Sequence, residues 1–246
     1  MLKQTYKYST LLLALSFLSA CASTQVAVSK RNLDVQTKMS ESLFLDPVDN
    51  EEQKTIFIQA KNSSDKQEFR IQQDLEASLR AKGFRVVNQQ AKAHFVLQVN
   101  VLQVGKADPN AAEAALYSGY GLDGVAAGGA LAYVAGGSNK AIVGAGLLGG
   151  IAAVVADSFV KDVYYSVITD VQIREKTKGG QLVSVSGMHF NKSGTSGGSR
   201  TTYEEKSNWK TYQTRVLSSA NKVNLEFEEA LPELRRHLSQ SIANIF

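Results

Sequence analysis

Eleven of the nineteen glycines fall between Gly119 and Gly150, inside a stretch whose other residues are mostly alanine, valine and leucine. No other feature constrains the fold as strongly. Glycine in a water-exposed helix costs about 1 kcal/mol relative to alanine, so a helix holding this many needs a packing reason for them. The stretch divides into two apolar runs, 124–137 and 141–156, separated by Ser138-Asn139-Lys140. As a helix the second run is roughly 24 Å long at 1.5 Å per residue. That is short for an average bilayer and acceptable for a thin bacterial outer membrane. Gly124 and Gly128 stand four apart, as do Gly146 and Gly150. Small residues at that spacing let helix backbones approach closely in lipid, where association depends on van der Waals contact. Tyr117, Tyr120, Phe159, Tyr164 and Tyr165 flank the runs as an interfacial aromatic belt would. The expectation is a membrane-associated helical hairpin over 117–163, a glycine zipper packed against copies of itself. A buried soluble hairpin and a flexible glycine/alanine loop are the competing readings.

The start of the chain points to a membrane independently. Lys3 and Lys7 precede a short apolar run, Leu11 to Leu18, which suits a signal peptide and is too short to span a bilayer. The run ends in Leu18-Ser19-Ala20-Cys21, the pattern of a lipobox. A thiol is required there because a thioether carries the diacylglycerol before residues 1–20 are cut off. Cys21 is the sole cysteine, with no partner for an internal disulfide. The competing reading, an ordinary signal peptide and an incidental thiol, leaves an unpaired thiol in an oxidising compartment. The expected product carries covalent N-acyl (palmitate) and S-diacylglycerol lipid on Cys21, and multiple acyl chains make the anchor effectively permanent. Ala22 follows, so no aspartate signals retention in the inner membrane.

Between these two segments the chain alternates strand and helix patterns. Residues 21–30 read as a lipidated tether. In the first half, 31–116, strands are expected at 32–45, 55–60, 84–88 and 94–104. Ile71, Leu75 and Leu79 recur every fourth residue in a helix over 66–82, with Ser64 or Asp65 as its cap and Gly83 as its stop. In the second half, 164–246, Tyr165, Val167, Thr169, Val171 and Ile173 share one strand face opposite Ser166, Asp170, Gln172 and Arg174. Strands follow at 182–190 and 209–217. The Gly/Ser/Thr-rich 191–208 between them reads as a long mobile loop or a surface that orders on assembly. A closing helix repeats Phe227, Leu231, Leu234, Leu238, Ile242 and Ile245, and Pro232 is a candidate for its true first turn. The fold class is therefore α+β: a mixed sheet with two amphipathic helices and an inserted glycine-rich apolar helical hairpin.

Catalytic chemistry finds no support in these residues. His94, His189 and His237 are far apart and none has a metal-ligand neighbour at helical or hairpin spacing. No serine occupies a nucleophile elbow, and the glycine runs lack the Lys-Ser/Thr of a phosphate loop. The expectation is a protein that is not an enzyme and takes no metal and no cofactor beyond its lipid. The formal charge of +4 falls to +2 when Lys3 and Lys7 leave with the signal peptide, and the remaining charges are interleaved. No basic patch points to nucleic acid.

Several longer stretches carry a family resemblance. Lys30–Ser42, Lys61–Lys66, Val167–Thr177, Gly194–Gly197 and above all Tyr212–Ile245 make the chain resemble the TraT family of outer-membrane lipoproteins. The resemblance covers essentially the whole mature chain. It implies a surface-exposed, outer-membrane homo-oligomer acting in surface exclusion during conjugation and in complement resistance. Its implied partners are itself, outer-membrane lipid, and a donor pilus tip or mating surface protein. Cys21 takes the place of the family's lipidated cysteine, and 119–156 that of its glycine-rich region. The alternative function is an oligomeric pore or secretion-associated envelope lipoprotein.

Overall fold

The computed structural model describes residues 29–48, 50–118, 120, 161–193 and 197–246. Cys21, the signal and most of the tether, the four zipper glycines and Phe159 lie outside the described residues.

A six-stranded mixed sheet organises the chain. In chain order its strands are β1 (Asp34–Met39), β2 (Thr55–Asn62), β3 (Arg85–Val86), β4 (Phe95–Lys106), β5 (Asp162–Lys176) and, after the separate hairpin of β6 (Val183–Ser193) and β7 (Gly197–Ser207), β8 (Trp209–Val223). The spatial order is β1-β8-β5-β4-β2-β3. Strands from both sides of the glycine-rich segment thus build one sheet. The pairs of β2 with β3 and β4 are parallel and the others antiparallel. Parallel β2 and β4 need a crossover, supplied by α1 (Gln72–Ala81), which buries Leu75 and Leu79. On the same face lies α3 (Phe227–Ala243), burying Ala230, Leu234, Leu238 and Ile242. The period-2 face of β5 read from the sequence meets these helices: Tyr165, Val167, Val171 and Ile173 join Phe95, Leu97 and Val99 of β4 in the main core. Fully burying each of these side chains contributes about 1.5–3 kcal/mol. Phe84, Phe95 and Phe246 close one end edge-to-face at 5.4–6.0 Å.

Four local expectations change. The first helix begins at Gln72, later than the pattern suggested, and has no side-chain cap. Ser64 instead donates to Asn62 Oδ1 at 2.7 Å, and Asn62 Nδ2 donates to the carbonyls of Lys66 and Phe69. This loop swings fully buried Phe69 into the core before the helix starts. Gly83 does stop the helix, at φ +87°. The edge strand expected at 84–88 is paired only through Arg85 and Val86. Most of the expected loop 191–208 is strand, because β6 and β7 pair over eleven positions from Val183↔Ser207 to Ser193↔Gly197. Finally α3 begins at Phe227, with Pro232 inside it.

A third helix, α2 (Pro109–Tyr117), covers part of the opposite sheet face. Asp108 caps it by accepting from Ala111 N at 3.0 Å, and Pro109 occupies the first turn, where no amide hydrogen is needed. It buries Ala112, Ala115 and Leu116 against Ile168 and Leu217.

Candidate functional site

Two junctions bound the glycine-rich segment: where the chain leaves for 121–160 and where it returns. Departure follows α2. This helix has mostly alanines with which to grip the sheet, so its apolar contact is thin, and polar contacts hold its last turn. Arg215, on β8, is 1% exposed and forks onto Asp170 of β5, Nε to Oδ1 at 2.7 Å and Nη2 to Oδ2 at 3.1 Å. Its remaining arm donates to the Ala115 carbonyl at 3.1 Å and to Ser118 Oγ at 2.7 Å. A guanidinium at a helix C-terminus satisfies carbonyls that have no partner in the helix and complements the helix dipole. The planar fork matches the carboxylate in a way lysine would not. The buried pair therefore fixes where the chain departs.

Beside it on the same face runs a row of amides. Gln59, Gln98, Gln172 and Gln213 are direct cross-strand neighbours on β2, β4, β5 and β8. Each Nε2 donates to the next Oε1: Gln213 to Gln172 at 2.7 Å, Gln172 to Gln98 at 2.8 Å and Gln98 to Gln59 at 2.9 Å. No core covers this row, and the hydrogen-bonded chain satisfies one donor and one acceptor of each inner amide.

Return occurs at Lys161, just before β5 begins, at the end of the sheet where β4 finishes. Lys161 N donates to Asn224 Oδ1 at 2.9 Å and Asn224 N to the Lys161 carbonyl at 2.8 Å. Asn224 takes φ +50°, a left-handed geometry that asparagine tolerates. Next to it Val223 N donates to the carbonyl of Lys30, at the end of the tether. Asn221 Nδ2 adds a 2.6 Å bond to Asp162 Oδ1. Tether and returning strand therefore enter the fold side by side.

The flanking aromatics do not form one group. Tyr117, 62% exposed, and half-buried Tyr164 both lie near the ammonium of Lys38, which pairs with Glu113 at 2.9 Å. The Glu113 bond, then its charge, raises the Lys38 pKa. Burial raises the phenol of Tyr164, and Ser219 lies within hydrogen-bonding reach of it. Tyr120 stands by the Asp170–Arg215 pair, its phenol raised by burial first and by the Asp170 charge second. Tyr165 faces the other way. It is 6% exposed and packs 5.4 Å from the Phe227 ring, so it serves the core beneath α3. The residues that sequence reasoning missed are Arg215 and Asp170, which look like any charged residue on the polar face of a strand until their register is known.

Among the described residues no group of three His, Cys, Asp or Glu side chains is placed to hold a metal ion. His94 meets the Phe95 ring edge-on at 4.7 Å, and His237 lies beside Arg236 and Glu233 on α3. No helix among the described residues is long and apolar enough to cross a membrane.

Comparison with known proteins adds lineage to this geometry. The family model described as Enterobacterial TraT complement resistance protein matches residues 32–246. A TraT complement resistance protein of Escherichia coli is 43% identical over 232 residues, covering 93% of each chain. Another from Escherichia coli strain K12 is 43% identical over 236 residues, covering 93% of this chain and 92% of the relative. A TraT complement resistance protein of Wigglesworthia glossinidia brevipalpis is 28% identical over 233 residues, covering 93% and 91%.

Proposed function

Because the chain belongs to the TraT family of complement resistance proteins, we propose that it is a non-enzymatic outer-membrane lipoprotein conferring complement resistance and surface exclusion in conjugation. It acts as a homo-oligomer. Acyl chains on Cys21 hold each subunit in the membrane, and the segment containing Gly124, Gly128, Gly146 and Gly150 packs the subunits together. One observation carries this reading: the tether and the strand returning from the glycine-rich segment meet at one end of the sheet, through Lys30, Val223, Asn224 and Lys161. Two attachments to one bilayer need that proximity. The sheet then stands away from the lipid, with the β6–β7 hairpin rooted at its far end. A rigid body of this kind blocks by occupying the surface: it obstructs a donor pilus tip or mating protein, or keeps complement components from assembling on the lipid beneath.

The test is a deletion strain scored for receipt of a conjugative element and for survival in serum, complemented with the wild-type gene. Complementation lowers mating frequency and raises survival. Unchanged mating frequency and unchanged survival would leave a purely structural envelope role. Cross-linking on intact cells, resolved by size, tests the oligomer separately.

A further inference from the structure

The two junctions sit at different levels of the sheet. α2 begins beside Tyr164, whose carbonyl accepts from Ala107 N at 3.0 Å, and ends at Arg215, the direct cross-strand neighbour of Asp170. Departure, by Tyr120, is therefore level with Asp170, whereas return is at Lys161. Nine residues along β5 separate those levels, roughly 30 Å at about 3.3 Å each. Only four residues lead from Tyr120 to Gly124, where the first apolar run begins, and they reach at most about 14 Å. With Lys161 at the lipid and the sheet upright, that run would not reach the hydrocarbon. A drop of at most about 14 Å over about 30 Å keeps the sheet axis within about 30° of the bilayer plane. The side turned to the lipid is also set. Asp170 and Arg215 meet the last turn of α2, so the chain leaves on the α2 side, away from α1 and α3. Tyr117, 62% exposed, and half-buried Tyr164 lie together by Lys38 on this side, with Tyr120 beyond the end of the helix.

We propose that α2 rests on the headgroups of the bilayer that holds Cys21, with Tyr117, Tyr120 and Tyr164 at the interface and the sheet lying over α2 rather than end-on. Tyrosine suits that depth, because its ring is apolar and its hydroxyl stays wet. The helix is about 10 Å thick and holds the sheet off the lipid by that much. The glutamine row beside α2 then faces water and headgroups, where its amides keep their hydrogen bonds, rather than hydrocarbon, where they would lose them. Lying over the bilayer, each subunit covers more of it than an upright one. The inference rests on the insertion of 121–160 proposed above.

The experiment reconstitutes the full lipidated chain in phosphatidylethanolamine and phosphatidylglycerol vesicles that carry an energy-transfer acceptor on a headgroup. Acylation consumes the sole cysteine, so a donor dye is attached through Thr211→Cys or, separately, Gln240→Cys. Both positions are exposed and both lie at the end of the sheet away from Lys161. Thr211 shares the face of Gln213 and Arg215, and Gln240 is on α3, across the sheet. The expected result is transfer from Thr211 several-fold above that from Gln240. Equal transfer overturns the proposal, because an upright body holds both positions at one height, and greater transfer from Gln240 overturns it too. The Cys21→Ala chain is scored alongside for residual membrane association. Where association persists, equal transfer counts against the orientation alone. Where it is lost, insertion fails and the orientation falls with it.

Discussion

Arg215 and Asp170 concentrate more consequence in two side chains than any other pair in the described chain. Removing ions from water is expensive, and their attraction repays that cost only when the fork geometry and the extra hydrogen bonds are intact. Arg215→Ala leaves the Asp170 carboxylate buried and removes the guanidinium bonds to the Ala115 carbonyl and the Ser118 hydroxyl, leaving that carbonyl only its Ser118 donors. The expected loss is about 3–5 kcal/mol by urea unfolding. Arg215→Met with Asp170→Leu removes both charges together and recovers most of it. If the double variant is as unstable as the single, the pair is not what holds α2. His94 supplies a pH prediction. Burial, the largest influence, lowers its pKa, the Glu175 charge opposes this, and Lys176 and Lys178 lower it further. A depressed folded pKa means that the unfolded chain binds the proton more readily. Stability is therefore full above the ordinary histidine value of about 6.5 and declines as pH falls below it. His94→Gln flattens that part of the stability–pH curve, measured by thermal melts between neutral and mildly acidic pH.

Elements were legible where their signal was local and hidden where it was not. Leu75 and Leu79, Leu234 and Leu238, and the alternating face of β5 announce themselves by period, and each is buried as read. The strand expected over 182–190 is β6, but its partner β7 was hidden by glycine and serine content, although Thr201, Thr202 and Tyr203 are good strand formers. The third helix escaped because its alanines show almost no amphipathic pattern, yet Asp108-Pro109 was a start signal in plain view. The glutamine row and the Arg215–Asp170 pair depend on register between strands distant in sequence, which no single segment encodes. Pro232 shows the opposite failure, a correct local rule overridden by packing. It lacks the amide hydrogen that the helix would bond to the Glu228 carbonyl, and α3 tolerates this because Ala230, Leu234 and Leu238 bury the helix on both sides of it. Pro232→Ala is expected to raise stability, by up to about 3 kcal/mol. Chemical denaturation checks it, and an unchanged midpoint would mean that the helix has already adjusted to the ring.

At the scale of the whole molecule, tether and returning strand enter the sheet at one end, and this bears on what the proposed lipid anchor does to the fold. Lys30 and Lys161 enter at one end through backbone bonds to Val223 and Asn224, and these belong to the sheet rather than to lipid. The body therefore needs no membrane to hold its tether and return strand in place. A Cys21→Ala chain is expected to keep its circular dichroism and unfolding midpoint while leaving the outer-membrane fraction. Phase partitioning of that chain then separates the two attachments. If 121–160 inserts, some of the Cys21→Ala protein still enters the detergent phase, and replacing Gly124, Gly128, Gly146 and Gly150 with leucine weakens oligomers without releasing monomers from lipid. If all membrane association is lost with the thiol, insertion is excluded, and the glycines must pack in water, where each costs about 1 kcal/mol unless a neighbouring backbone lies against it. Acylation at Cys21 would then be the sole attachment, and the sheet would stand on a tether.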